Sequence, residues 1–282
     1  VITTIDNSIN FSILTKHYEN KIKFLALQCA TRGGIYENIN NHNKFFYFTN
    51  YFGFSDFDYK LMKSKNIKIK NFFPIGSLRN SYYKNFLYNQ NTVLEKKYDI
   101  CLICKRIFID DKFFDNEAAE ATLKIIRYLA QYVKKKNKSI IIQSKSKKNI
   151  NEENFYERAF NNTRYVISWK GNINFNSYKN ISLSHLIVGV PSSLLREASI
   201  YPKTKILCFD FEKKVGKQPF EGINHLDDIS FEKIEKKLDF LLELDHDKYE
   251  KNLENQNDIL MEKKNTIELF KKFLYEKHRS LI

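Results

Sequence analysis

Short apolar runs alternate with longer amphipathic ones along most of the chain, and no other feature restricts its fold as much. "VITTI" reads as a strand and "INFSILTKHYEN" as a helix. "IKFLALQCA" and "KFFYFTNYFG" are further strands, "SDFDYKLMKSK" a helix, "IKNFFPIGS" a strand and "LRNSYYKNFLYN" a helix. A polar stretch at 89–97 interrupts the pattern, which then restarts with the strands "YDICLICKR", "SIIIQSK", "RYVISWK", "HLIVGVP" and "TKILCFDF" and helical segments between them. Connections long enough to hold a helix join parallel neighbours, not hairpins, so the chain is expected to build α/β units with helices on parallel sheets. From "SFEKIEKKLDFLLELD" onward only charged helical pattern remains. The expected division is a unit over 1–92, a fuller one over 93–228, and C-terminal helices over 229–282.

The 282 residues, 43% hydrophobic and 15% aromatic, can bury a sizeable core, which excludes global disorder. Every apolar run falls short of the ~20 residues that span a bilayer, and no charged-then-apolar secretory start is present. A cytoplasmic, soluble protein is the expectation. Val1 in place of methionine suggests that N-terminal sequence is missing.

Cys29, Cys101, Cys104 and Cys208 all lie in strand-like runs and read as small buried hydrophobes. Cys101 and Cys104 form a lone CxxC, but positions three apart on a strand point to opposite faces, a poor chelating geometry. The net charge of +14 suggests an anionic partner. Lysine is abundant throughout, however, and "KKKNK" at 134–138 also suits the end of a helix, where cations complement the dipole. The aromatics lie in strand cores and form no stacking surface with the basic residues, so nucleic acid is disfavoured.

With eight glycines the chain carries no GxGxxG and no GxxxxGK[ST], and it also lacks HExxH and GxSxG. What remains is position. Open parallel sheets bind ligands beyond the carboxyl ends of their strands. In "GVPSSLLREA" the strand gives way to a helix that begins with Ser192 and Ser193 and carries Glu197 one turn on. The serines either cap the helix or lend a hydroxyl to a phosphate; Glu197 either accepts from ribose hydroxyls or sits on the surface. "IGSLR" repeats the scheme with Gly76, Ser77 and Arg79. Lys105 and Arg106 in "CKRIF", Lys145 in "IQSKSKK" and Arg32 in "TRGG" add cations at other strand ends. Such residues are expected to converge on one crevice, where they would offset phosphate charge. Asp6, after the first strand, is the candidate general base, with capping of the next helix as the competing role. "DFD" at Asp56–Asp58 and the pair Asp110–Asp111 read as surface charges.

Together "ITTIDNS", "ALQCATRGG", "FFPIGSLRNSYY" and "YKNISLSHLIVGVPSSLLREA" resemble a bacterial family of surface-carbohydrate or lipopolysaccharide biosynthesis proteins, glycosyltransferases of GT-B architecture. The likeness runs from Val1 to about Phe211, and departs from the family's Asn-Gly at Cys29–Ala30. It implies two Rossmann-like domains across a cleft, the first of them shortened. It also implies a nucleotide-sugar donor held by Ser192, Ser193 and Glu197, with Asp6 and Arg32 toward a glycan or lipid-linked acceptor. Neither a cofactor nor a catalytic metal is expected for such an enzyme. A sugar-nucleotide epimerase of the same shape is the rival enzyme, and a basic nucleic-acid-binding or scaffold protein the rival outside catalysis. The basic surface and the amphipathic C-terminal helices suggest peripheral contact with an anionic inner membrane.

Overall fold

The computed structural model describes residues 1–31, 45–89, 94–109, 112–113, 117–171, 175–211, 219–228, 230–253, 261 and 265–278. The chain divides into two compact units. The first comprises Val1–Asn91, Lys214–Pro219 and Asn255–Ile282; the second comprises Thr92–Lys213 and Phe220–Glu254.

In the first unit β1 (Ile2–Thr3), β2 (Leu25–Leu27), β3 (Tyr47–Gly53) and β4 (Lys68–Pro74) form an all-parallel sheet in sequential order. Helices α1 (Ile9–Tyr18) and α2 (Asp56–Ser64) pack on one face; there Phe11 and Met62 join Phe24, Ala26, Phe48 and Tyr51 in a largely aromatic core. Each helix begins where a side chain caps it. Ser8 Oγ accepts from the Phe11 amide at 3.2 Å. Ser55 and Asp58 form a capping box, the Asp58 carboxylate taking the Ser55 amide and hydroxyl at 3.1 Å each and the Gln28 side-chain amide at 2.7 Å. Asp58 is therefore a buried structural carboxylate, not the surface charge expected of it; Asp56 is exposed. Asp110 and Asp111 lie outside the described residues. α3 (Leu78–Asn89) follows β4.

The second unit is built on β5 (Tyr98–Ile103), and a short antiparallel hairpin, β6 (Phe108–Ile109) with β7 (Lys112–Phe113), precedes α4 (Glu117–Lys136). Then come β8 (Ser139–Gln143), α5 (Ile150–Ala159), β9 (Arg164–Ser168), α6 (Asn176–Ser182), β10 (Ser184–Gly189), α7 (Ser193–Ala198), β11 (Lys205–Phe209) and β12 (His225–Leu226). The sheet is parallel throughout, ordered β12-β11-β10-β5-β8-β9. Counted from β5, that is the doubly wound order 3-2-1-4-5-6. α8 (Phe231–Glu243) and α9 (His246–Leu253) complete its core, with Ile234, Leu238 and Leu241 fully buried beside Ile126, Leu129 and Val133.

Buried polar groups lock these last helices in place. The Lys205 ammonium, on β11, reaches the Leu241 carbonyl at 2.6 Å and also the Leu244 carbonyl, satisfying the open end of α8. The Tyr249 hydroxyl donates to Asn224 at 2.7 Å and accepts from the Ile206 amide at 3.0 Å. At the end of α4 the basic run has a structural use: Lys135 and Lys136 pair with Glu235 and Asp239 of α8.

α10 (Thr266–His278) returns to the first unit, where Leu269, Phe270, Phe273 and Leu274 cover the second face of the sheet over Leu25, Phe52 and Phe73. The Phe52 ring meets those of Phe270 and Phe273 edge-on at 5.1 and 4.9 Å. The helices expected as one tail over 229–282 are thus divided between the units. The two cores take up Ile234, Leu238 and Leu241 of α8 and Leu269, Phe270, Phe273 and Leu274 of α10, while Phe240 and Tyr275 stay exposed. Among the described residues no helix is long and apolar enough to cross a membrane.

Lys96, just before β5, donates to the Ser184 carbonyl at 2.8 Å and the Thr204 hydroxyl at 2.7 Å. Burial, with the Lys203 charge second, lowers its pKa from 10.5 to about 8. Between those values the unfolded chain holds a proton that the folded chain has released, so stability rises with pH across the window. The expected gain is about 1–2 kcal/mol after discount for partial exposure. Denaturant titrations from pH 7.5 to 10, beside Lys96→Met, check it; the variant is expected to lose that slope.

Candidate functional site

A doubly wound sheet opens a crevice where its strand order reverses, because the connections on either side leave in opposite directions. Here the reversal lies between β5 and β10, paired in register with Gly189 beside Ile103. The approach is close: a Cβ on Gly189 would lie 2.8 Å from the Ile103 carbonyl oxygen. Beyond Ile103 the chain continues through Cys104 to Lys105 and Arg106; beyond Gly189 it continues through Val190 and Pro191 to Ser192 and Ser193. β8 is the next strand on the other side of β5, with Gln143 beside Ile103, and Lys145 follows it. The fold therefore brings Lys105, Arg106, Lys145, Ser192, Ser193 and Glu197 to the carboxyl ends of three adjacent strands. Arg106 and Lys145 are exposed, and Lys105 is half-buried.

Ser192 is the N-cap of α7, its Oγ accepting from the Leu195 amide at 3.2 Å, so the capping alternative holds for that residue. Ser193 is the first helical residue and is half-buried. Glu197 is 7% exposed, and its Oε2 accepts from the Tyr178 hydroxyl at 3.0 Å. It is neither a surface charge nor isolated: α6 fixes its direction. With only six residues, α7 contributes less end charge than a full-length helix, leaving side chains as the main ligands the segment offers.

Sequence reasoning missed the polar layer behind these residues. Asn180 donates to Gln143 Oε1 at 2.7 Å and to Ser168 Oγ at 2.8 Å, and Asn176 reaches Ser168 Oγ at 2.9 Å. Glu152, fully buried, accepts from Ser144 at 2.7 Å and from Tyr156 at 2.9 Å. These contacts tie the loops after β8 and β9 to α5 and α6, making a rigid floor beside the crevice. The signal was present but weak: polar residues ending apolar strands in "IIIQS" and "VIS", and amides in "NSYKN". Cys104 also lies in this layer, where burial pushes its thiol up to about 12; Cys101 is driven higher still. Both remain protonated and are poor metal ligands. Among the described residues no group of three or more His, Cys, Asp or Glu side chains is placed to hold a metal.

The remaining candidates belong to the first unit. Ser77 caps α3, accepting from the Asn80 amide at 3.3 Å, and Gly76 supplies the left-handed turn before it at φ 83°. Arg79 is exposed in the first turn of α3. Asp6 is fully buried, taking the Tyr51 hydroxyl at 2.6 Å on Oδ2 and the Cys29 thiol at 3.4 Å on Oδ1. Ser8, not Asp6, caps α1. Against the expectation that Asp6 faces an open crevice, its side chain is fully buried, and a base for an incoming hydroxyl needs an open side. Arg32 lies outside the described residues.

The fold is similar to that of UDP-GlcNAc 2-epimerase from Neisseria meningitidis, solved bound to UDP-GlcNAc, at a TM-score of 0.60 and 12% identity over 98% of this chain and 75% of that one. It is also similar to a chain of the GtfA/B complex, at a TM-score of 0.50 and 13% identity over 94% of this chain and 55% of that one. These likenesses establish the architecture: an α/β protein of two Rossmann-like units of the GT-B type. No family model matches the chain, and no curated protein is similar to it in sequence.

Proposed function

We propose that the protein is a GT-B-type enzyme that holds a nucleotide sugar at the crevice of its second unit and transfers the sugar to a surface polysaccharide or lipopolysaccharide acceptor. One observation carries this reading: Ser193 and Glu197, one helical turn apart, stand at the strand-order reversal beside Lys105 and Arg106. A nucleoside diphosphate asks for that combination of a carboxylate for ribose hydroxyls and a hydroxyl and cations for phosphates. In the reaction the bond between the anomeric carbon and the diphosphate oxygen breaks, and the acceptor oxygen bonds to that carbon as its proton passes to solvent water. Lys105, Arg106 and Lys145 offset the charge gathering on the departing diphosphate. Gly76, Ser77 and Arg79 are further candidates for binding the donor, and Arg32 belongs to the acceptor side in this scheme. Asp6 serves that side by holding Tyr51 and Cys29 in place.

A second reading, epimerisation of the nucleotide sugar, is favoured by the fold likeness to UDP-GlcNAc 2-epimerase over 98% of the chain. Incubating the protein with UDP-GlcNAc and no acceptor, followed by proton NMR, separates the two: inversion at C2 supports the epimerase, and an unchanged sugar supports transfer.

The donor site itself is tested by thermal shift. A nucleoside diphosphate or nucleotide sugar at ~100 times its Kd is expected to stabilise the protein by about 2.7 kcal/mol. Ser193→Ala with Glu197→Gln is expected to abolish that shift with little change in the unliganded melt. No shift with any nucleotide would turn the assignment toward a scaffold or a nucleic-acid-binding protein.

A further inference from the structure

The crevice of the second unit leaves unused a group of lysines in the first unit, at the amino ends of its strands. In parallel βα units the helices run back against the strands, so helix C-termini and strand starts share one rim. That rim carries Lys16 at the end of α1, Lys21 and Lys23 before β2, Lys63 and Lys65 at the end of α2, and Lys68 and Lys70 at the start of β4. Glu19 is the one carboxylate there among the described residues, and it is already engaged by Lys70 at 2.7 Å and the Tyr47 hydroxyl at 2.6 Å. Two helix C-termini call for a cation or two each, not for seven. Between α2 and β4 the rim opens into a shallow groove of about 490 Å³ lined by Tyr47, Lys63, Lys68 and Lys70.

Apolar side chains stand beside these cations. Leu14 and Tyr18 are four residues apart on α1, 49% and 40% exposed, and Ile22 in the following turn is 40% exposed. Lysines on a broad rim with exposed aliphatic and tyrosyl groups next to them match a layer of anionic head groups over acyl chains. They do not match single-stranded nucleic acid, which wants a row of exposed aromatics to stack on.

We propose that the amino-end rim of the first sheet docks the protein on an anionic lipid bilayer, the lysines on head-group phosphates and Tyr18 and Ile22 in the interface. The surface is separate from the nucleotide crevice, so either assignment can fail without the other. The test is co-sedimentation with vesicles of phosphatidylcholine alone and of phosphatidylcholine mixed equally with phosphatidylglycerol. The protein is expected to bind the mixed vesicles only. Each lysine contributes about fivefold to partitioning, so reversing Lys21, Lys23, Lys63 and Lys68 to Glu is expected to lower it at least ~100-fold. Tyr18→Ser with Ile22→Ser is expected to leave low-salt binding in place and lose the part that survives at physiological ionic strength. Both variants are expected to keep the parent nucleotide shift, the four-lysine variant melting slightly lower because Lys63 complements the end of α2. Equal binding to both vesicle types, or undiminished binding by the four-lysine variant, would overturn the proposal. So would a single-stranded RNA that binds more tightly than the mixed vesicles, with Tyr18→Ser/Ile22→Ser leaving vesicle binding untouched at both salts.

Discussion

Removal of residues 265–282 is expected to unfold the first unit while the second keeps its own transition. The sheet of the first unit advances in one direction, β1 to β4, with α1 and α2 both on one face. The other face presents Leu25, Phe52 and Phe73, and α10 supplies Leu269, Phe270, Phe273 and Leu274 to cover them. Fully buried side chains of this size stabilise by about 1.5–3 kcal/mol each. Four partly buried ones, with the sheet residues they shield, amount to ~5 kcal/mol or more, comparable with the whole stability of a small domain. Hydrogen exchange followed by mass spectrometry reads the two units separately. In the truncated chain, peptides from β2, β3 and β4 should exchange at once, while those from β5, β8 and β10 stay protected. Protection of both sets would show that α10 adds little. A milder form, Phe273→Ala, is expected to cost about 2–4 kcal/mol in the first unit alone.

The second large effect is expected at Gly189. A methyl group there meets the Ile103 carbonyl at 2.8 Å and the Ile103 side chain at 3.3 Å, and neither is a flexible tip that can swing aside. β5 and β10 must then part where the crevice opens. Overpacking of this kind typically costs 1–3 kcal/mol, so Gly189→Ala should lower the second unit's stability by about 2 kcal/mol. Because the strained pair carries Lys105 and Arg106 on one side and Ser193 on the other, nucleotide affinity should fall at least ~10-fold in protein that remains folded. Calorimetric titration of the variant beside Ser193→Ala checks this. Unchanged affinity with lowered stability would mean that the strand ends tolerate displacement and that the crevice does not form the site.

Local pattern made most of the architecture readable. "LRNSYYKNFLYN" coincides with α3, and "SIIIQSK" and "RYVISWK" contain β8 and β9. A strand buried on both faces has to be a continuous apolar run, and a surface helix has to be amphipathic. Partnership was not readable. The apolar stripe of α10 says that the helix must be covered, not that its partner is a sheet some 200 residues earlier. Ser55 and Asp58, by contrast, carried a legible S-x-x-D capping signal, and reading "DFD" as surface charge overlooked it. The strand-end rule put forward Ser193, Glu197 and Lys105 as candidates because it depends on topology alone. Tyr178, Gln143 and Asn180 stayed hidden, since only the folded chain shows which polar groups face one another.

The return of α10 also fixes an order in time. Domains ordinarily complete from the N-terminus as they leave the ribosome, at ~5–20 residues per second. Here everything the second unit needs has been synthesised by Glu254, whereas the first unit waits for a helix that begins at Thr266. For roughly 10–40 s of synthesis the nascent chain carries an open aromatic sheet face beside a maturing neighbour. A ribosome stalled within residues 255–265 would hold that half-finished face exposed, making it the natural target of chaperones that recognise bare apolar surface.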